Sequence, residues 1–131
     1  MSANRNSLRT ILLVDAGTCG VMGAFLLAAR QAVAGATGLP PDLVVYAGLA
    51  LLPTAAVMAL VAMETLPLRT GTGLVVAGNA LWIAGSLAVV ALLPLTIVGV
   101  AFVLAQSMAV AVLMAMEAAL AMRSAPLGAQ S

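Results

Sequence analysis

The sequence predicts an all-α integral membrane protein built as a four-helix bundle, and three observations support this fold class. The 131-residue chain has a mean hydropathy of +1.21, with 64% hydrophobic and 7% charged residues. Soluble globular domains have an apolar share nearer one half. The apolar residues form continuous runs of about the 20 residues that a helix needs to cross a hydrocarbon core. These runs lack the two-residue alternation that is typical of membrane β-barrels.

Four apolar runs define the predicted spans of a single transmembrane domain that covers residues 1–131. The predicted spans are 10–29, 43–63, 72–92 and 95–122. Arg5 and Arg9 precede the first span, as they would in a secretory leader. The apolar run is longer than the hydrophobic part of a usual leader. We therefore interpret it as a retained first span.

The connections between the spans predict two antiparallel helical hairpins. Residues 30–42 are predicted to form a loop, because Gly35 and Gly38 favour the end of the first span and Pro41 favours the start of the second. The third and fourth spans are separated by so few residues, around Pro94, that only a tight turn fits between them. The first two spans form one predicted hairpin and the last two form the other.

Arginines in the connections predict the orientation of the chain. The chain has no lysine, and four of its five arginines fall on one side of the predicted topology, namely Arg5, Arg9, Arg69 and Arg123. Only Arg30 falls on the other side. Because positively charged loops face the cytoplasm, both termini are predicted to be cytoplasmic.

Asp15 is the polar residue with the highest expected free-energy cost of membrane insertion. An acid at the centre of a membrane helix costs about 2.5–3.5 kcal/mol on insertion scales, so compensating partners are expected. Asn79 in the third span and Gln106 in the fourth lie at comparable depths. We predict a polar cluster of Asp15, Asn79 and Gln106 in the cytoplasmic half of the membrane, facing the bundle interior. The cluster is either a ligand or proton site or a set of hydrogen bonds that only join helices.

A second pattern predicts a cavity that is lined by polar residues and open to the cytoplasm. Trp82 and Ser86 share one face of the third span with Asn79, by the three-and-four spacing of helical neighbours. Gln106 and Glu117 fall on nearly the same side of the fourth span, at about 100° per residue. Trp82, Ser86 and Glu117 are therefore possible cavity-lining residues. In the alternative interpretation Trp82 is a helix contact and Glu117 is a charge at the membrane interface.

Catalytic and cofactor-binding patterns are missing from the sequence. The chain has no histidine and a single cysteine, Cys19, so it offers no Ser-His or Cys-His pair and no set of the ligands that zinc or haem prefers. We expect no metal, no cofactor and no enzymatic activity. The few charges also give no basis for nucleic-acid binding.

Several segments carry a resemblance to known proteins. The segments are 12–16 (LLVDA), 78–82 (GNALW) followed by Ser86-Leu87, and 95–106, which contains Leu95-Thr96 and GVAFVLAQ. With them the chain resembles a group of small four-span bacterial integral membrane proteins that are mostly uncharacterised. The resemblance covers nearly the whole chain and implies a multi-pass protein of the bacterial inner membrane.

The chain is also similar, more weakly, to the small multidrug transporters in its size and number of spans. Those proteins have a glutamate in the first span, where this chain has Asp15, and several aromatic residues near the substrate. This chain has few aromatic residues, which argues against export of aromatic cations.

Two functional interpretations follow from the sequence. In the first, the protein is a non-catalytic accessory or assembly subunit of a membrane complex, or a self-associating protein. Small residues at four-residue spacing, such as Ala101, Ala105 and Ala109, favour close helix packing within the bundle or in a homo-oligomer. In the second interpretation, the protein is a small transporter or a binder of lipophilic ligands that uses Asp15. In both interpretations the protein is expected to be surrounded by the lipid bilayer.

Overall fold

The computed structural model describes residues 2–124, and these residues form five α-helices. The helices are α1 (Ser2–Ala28), α2 (Arg30–Thr37), α3 (Pro41–Ala62), α4 (Leu68–Leu92) and α5 (Ile97–Ser124). All of them except α2 are long and apolar enough to cross a membrane, by length and composition. The predicted all-α class with a bundle of four long helices is confirmed.

The four long helices begin and end where the local sequence favours a helix boundary. Pro41 occupies the first turn of α3, where the missing N–H of proline has no helical partner to lose, and Asp42 follows it in the same turn. Pro67 occupies the N-cap position directly before α4. α1 begins at Ser2, well before the predicted start of the first span at Thr10, so this helix reaches beyond its apolar run.

The prediction of a loop over residues 30–42 is wrong, because Arg30–Thr37 form α2. Arginine, glutamine and alanine are good helix formers, and the single Gly35 costs only about 1 kcal/mol in a helix interior. The helix ends at Gly38, which adopts φ 79° and donates its N–H to the Ala34 carbonyl. This left-handed conformation is the one that glycine adopts without steric cost.

The long helices pack in the circular order α3, α1, α5, α4. α1 packs most extensively on α3, and α4 packs on α5, while α3 and α4 are the least closely packed neighbours of the four. α1 and α3 cross at glycines: a Cβ atom at Gly48 would lie 3.0 Å from the carbonyl oxygen of Gly23. Such small residues let helices approach closely where lipid provides no hydrophobic drive for association.

α2 is fixed against the start of α5. The Thr96 N–H donates to the Thr37 carbonyl at 3.0 Å, and the Thr96 hydroxyl donates to the Ala36 carbonyl at 2.7 Å. The same hydroxyl oxygen accepts the N–H of Gly99, which satisfies a free donor in the first turn of α5. Gly99 packs directly against the Thr37 carbonyl. The connection between the first two long helices is therefore a docked helix.

The outer surface of the bundle is apolar. Large hydrophobic side chains point away from it on several helices, including Val21, Leu81 and Ile97, with 73%, 75% and 90% of their surface exposed. Exposed apolar area on this scale is unusual for a protein in water. In a bilayer these side chains contact lipid. The chain is a multi-pass membrane protein by the length, composition and surface of its helices.

We predict that Gly99→Ala destabilises the bundle by about 1–3 kcal/mol, the usual cost of overpacking. The added methyl group would collide with the backbone of Thr37, which cannot move without displacing the end of α2. Unfolding in mixed micelles with increasing SDS measures the effect.

Gly73→Ala is the matched control, because a Cβ atom at this exposed helical position meets nothing within 4 Å. It should leave stability unchanged or raise it by up to about 1 kcal/mol, since alanine is the better helix former. Equal stability of the Gly99 and Gly73 variants would contradict the close approach of α2 and α5.

Candidate functional site

Two carboxyl groups and one amide meet inside the bundle. Asp15 on α1, Asn79 on α4 and Glu117 on α5 have 1%, 5% and 0% of their surface exposed. The Asn79 Nδ2 lies 3.3 Å from Asp15 Oδ2 and also 3.3 Å from Glu117 Oε2. Because an amide nitrogen carries two hydrogens, it can donate to both carboxyl groups at once. We call Asp15, Asn79 and Glu117 the acid cluster.

Asp15 has a further partner on its own helix. The Cys19 thiol, one turn along α1, lies with its Sγ 3.6 Å from Asp15 Oδ1 and donates a weak hydrogen bond to it. Both oxygens of Asp15 therefore accept a hydrogen bond. Glu117 differs, because its Oε1 is buried and has no hydrogen-bond donor. Thr72 Oγ1, two turns before Asn79 on α4, is also buried without a partner.

No basic side chain neutralises the acid cluster within the described part of the chain. The one ion pair found there joins Arg5 and Glu64 at 3.4 Å, and both of its side chains are more than half exposed. Such an exposed pair contributes little to stability. A buried carboxylate without a cation is costly. Ionisation of both Asp15 and Glu117 would therefore destabilise the fold.

Gln106 lies in a separate polar group. Its Oε1 accepts the indole N–H of Trp82 at 2.7 Å, and its Nε2 lies 3.0 Å from Ser86 Oγ and 2.9 Å from Ser107 Oγ. The Val103 carbonyl is a further acceptor for the same nitrogen at 2.9 Å. We call Trp82, Ser86 and Gln106 the amide cluster.

The amide cluster borders a cavity of ≈ 470 Å³. The cavity lies in the half of the bundle that contains α2 and the turn between α4 and α5, with α3 and α4 on two of its sides. Most of its lining is apolar, with side chains such as Leu26, Val44, Val89 and Phe102. Trp82, Ser86 and Gln106 form a polar wall of the cavity, and Tyr46 is a further lining residue with a polar group. None of the described lining residues is charged.

The structure groups the predicted site residues differently from the sequence analysis. Asp15 and Asn79 are in contact, but the prediction that Gln106 joins them is wrong, because Gln106 belongs to the amide cluster. The predicted placement of Glu117 with the cavity or the membrane interface is also wrong, since Glu117 is fully buried beside Asn79. Trp82 and Ser86 line the cavity as the sequence pattern proposed.

The register of the helices explains why Glu117, and not Gln106, lies beside Asp15 and Asn79. α4 and α5 form a hairpin, and residues at similar distances from its turn face each other, so Gln106 lies opposite Trp82 and Ser86. Glu117 lies farther from the turn. It is fully buried beside Asn79, in a part of α5 where Leu120 also packs against the hydrophobic core.

Two contributors were missed by the sequence analysis. Cys19 is one turn from Asp15, a spacing at which side chains of a helix are neighbours, so its contact with the acid was predictable. Ser107 follows Gln106 directly in the chain, and its contact depends on the conformation of the Gln106 side chain. Nothing in the sequence pattern indicates that conformation.

The fold and the two polar clusters define a multi-pass helical membrane protein with buried carboxyl groups and an apolar cavity. Comparison of the chain with protein-family models, with curated proteins and with solved structures finds no match. Among the described residues, no group of three or more His, Cys, Asp or Glu side chains is arranged to hold a metal ion.

We predict that Asn79→Ala destabilises the bundle by about 1–3 kcal/mol, because it removes the donor shared by two buried carboxyl groups. Asn6→Ala is the matched control, since Asn6 is an exposed residue of α1, and it should change stability by less than about 0.5 kcal/mol. Thermal unfolding of both variants in detergent measures the difference. Equal melting temperatures for the two variants would show that Asn79 does not hold the acids together.

Proposed function

We propose that the protein is a non-catalytic component of the bacterial inner membrane that binds a neutral lipophilic molecule in the cavity beside the amide cluster. The observation that carries this proposal is the ≈ 470 Å³ apolar cavity with Trp82, Ser86 and Gln106 on one wall. Small-molecule sites in proteins are typically concave and mostly apolar, with a few polar groups that orient the ligand. The volume lies in the range of about 300–1,000 Å³ that is usual for such sites.

The absence of charge among the described lining residues supports a neutral ligand. A phosphate or ammonium group in the cavity would leave water without meeting an opposite charge, which costs several kcal/mol. A neutral hydroxyl or carbonyl group has partners available. Ser86 Oγ accepts from Gln106 and still carries its own hydrogen, which can be donated to a ligand oxygen.

The residues that line the cavity differ from the binding residue that the sequence predicts. In the sequence-based interpretation Asp15 was the candidate binding residue, whereas the cavity is lined by Gln106, Trp82 and Ser86. With both termini in the cytoplasm, as the arginines predict, the cavity lies in the outer half of the bilayer and not on the cytoplasmic side that the sequence pattern predicts. A molecule dissolved in the outer leaflet would reach it between α3 and α4.

A second candidate function is that of a self-associating protein or an accessory subunit. Ala101, Ala105 and Ala109 are exposed along one face of α5, so their four-residue spacing is not used for packing within the bundle. A stripe of small residues lets a second helix approach closely in the membrane. This function is compatible with ligand binding, because the stripe and the cavity involve different residues.

Trp82 provides the test of ligand binding, because it is the only tryptophan of the chain and lines the cavity. In detergent-purified protein, we expect bromododecanol to quench its fluorescence saturably, since bromine quenches on contact. Bromododecanoic acid in its ionised form should quench weakly, because its charge has no partner in the cavity.

Gly85→Leu should lower the affinity for bromododecanol by about tenfold, or about 1.4 kcal/mol, because Gly85 lines the cavity and its Cβ position is open. Gly73→Leu is the matched control on the same helix, away from the cavity, and should bind like the wild type. Equal quenching in all three proteins would show that the probe contacts Trp82 from the surrounding detergent, and the proposal would then fail.

Native mass spectrometry of gently solubilised membranes tests the second candidate. A self-associating protein should appear at a whole multiple of the chain mass, and an accessory subunit should appear in a larger complex. Ala105→Leu should dissociate a homo-oligomer, because leucine blocks close helix approach, whereas Ala80→Leu at an exposed position of α4 should not. A monomer under the mildest conditions would contradict this candidate.

A further inference from the structure

The acid cluster lies outside the cavity lining, so the proposed binding function does not account for it. Asp15 and Glu117 come from different helices and share one amide donor. Because Asp15 Oδ2 and Glu117 Oε2 each lie 3.3 Å from the same Asn79 nitrogen, the two carboxyl groups are neighbours. Two acids that meet in the interior of a membrane bundle are expensive unless something compensates them.

Asp15 accepts more hydrogen bonds than Glu117. Asp15 accepts at one oxygen from Cys19 and at the other from Asn79. Glu117 accepts only at Oε2, from Asn79, and its fully buried Oε1 has no donor. Hydrogen bonds to a carboxylate favour its charged form. Asp15 is therefore the better site for a negative charge, and Glu117 is the better site for a proton.

Other charged groups do not change this balance within the described residues. On α1, Cys19 is the remaining titratable group in contact with the pair, while Arg5 and Arg9 are exposed. On the other elements the charged side chains are likewise exposed and lie toward the helix ends, namely Arg30, Asp42, Glu64, Arg69 and Arg123. No described cation faces the carboxyl groups.

We propose that Asp15 and Glu117 form a proton-binding site that holds one shared proton. The proton resides on Glu117 Oε1, and this O–H donates a hydrogen bond to the Asp15 carboxylate. The unpartnered oxygen thereby becomes a donor, and one of the two buried charges is removed. Asn79 holds both groups in place through its two hydrogens. The site does not depend on whether the cavity binds a ligand.

Infrared difference spectroscopy of the purified protein at neutral pH tests the site. The wild type should show the carbonyl stretch of a protonated carboxylic acid, shifted on exchange into deuterium oxide. Glu117→Gln should lose this band because the proton carrier is gone. Asp15→Asn should lose it as well, since the new amide can donate to Glu117 and stabilise its ionised form. Glu64→Gln, which removes an exposed glutamate, should keep it.

A chemical probe gives a second measurement on the unaltered chain. A protonated carboxyl group adds across a C=N bond of dicyclohexylcarbodiimide: its proton moves to nitrogen and its oxygen bonds to carbon. An acyl shift then gives a stable N-acylurea. We expect one adduct per chain, on Glu117, located by peptide mass spectrometry. This measurement remains informative even if the variants fail to fold.

Three results would overturn the proposal. The first is a wild-type protein with neither the infrared band nor the adduct. The second is an Asp15→Asn variant that keeps the full band, because Glu117 would then hold its proton without Asp15. The third is a wild-type band that disappears when sodium is added at constant pH, which would assign the pair to a metal cation.

Discussion

The Asn79 amide is the interaction on which the arrangement of the helices depends. Its two hydrogens face one carboxyl group from α1 and one from α5, so three of the four long helices meet at this residue. In water, solvent would satisfy these groups after any small displacement. In a bilayer there is no such replacement. The relative positions of α1, α4 and α5 are therefore constrained by a polar contact within an otherwise apolar core.

The two halves of the bundle have different packing. Near the start of α1, Leu8 and Leu12 are fully buried together with Met58 and Val61 of α3. The half that contains α2 is held at its end by Thr96, yet it encloses the cavity. Close packing stabilises the fold, whereas a cavity gives up contact energy. The acid cluster lies between these halves, with Asp15 and Asn79 near the middle of their helices.

Helix formation was largely predictable from local sequence. The four apolar runs correspond to the four long helices, and Pro41 begins α3 as proposed. The predictions failed where apolar character and helical propensity differ. Arg30–Thr37 is polar enough to resemble a loop, although its residues favour a helix. The polar start of α1 is helical too, so this helix begins at Ser2, before the predicted span.

The sequence by itself determined that this chain crosses a membrane and that Asp15 needs a partner, because both follow from the cost of placing backbone and charge in hydrocarbon. Only the tertiary structure decided which partner Asp15 has. Gln106 and Glu117 lie on nearly the same face of α5, and the register of this helix against α4 places the first at the cavity and the second beside Asp15. Register depends on contacts between residues far apart in the chain, which a local pattern does not contain.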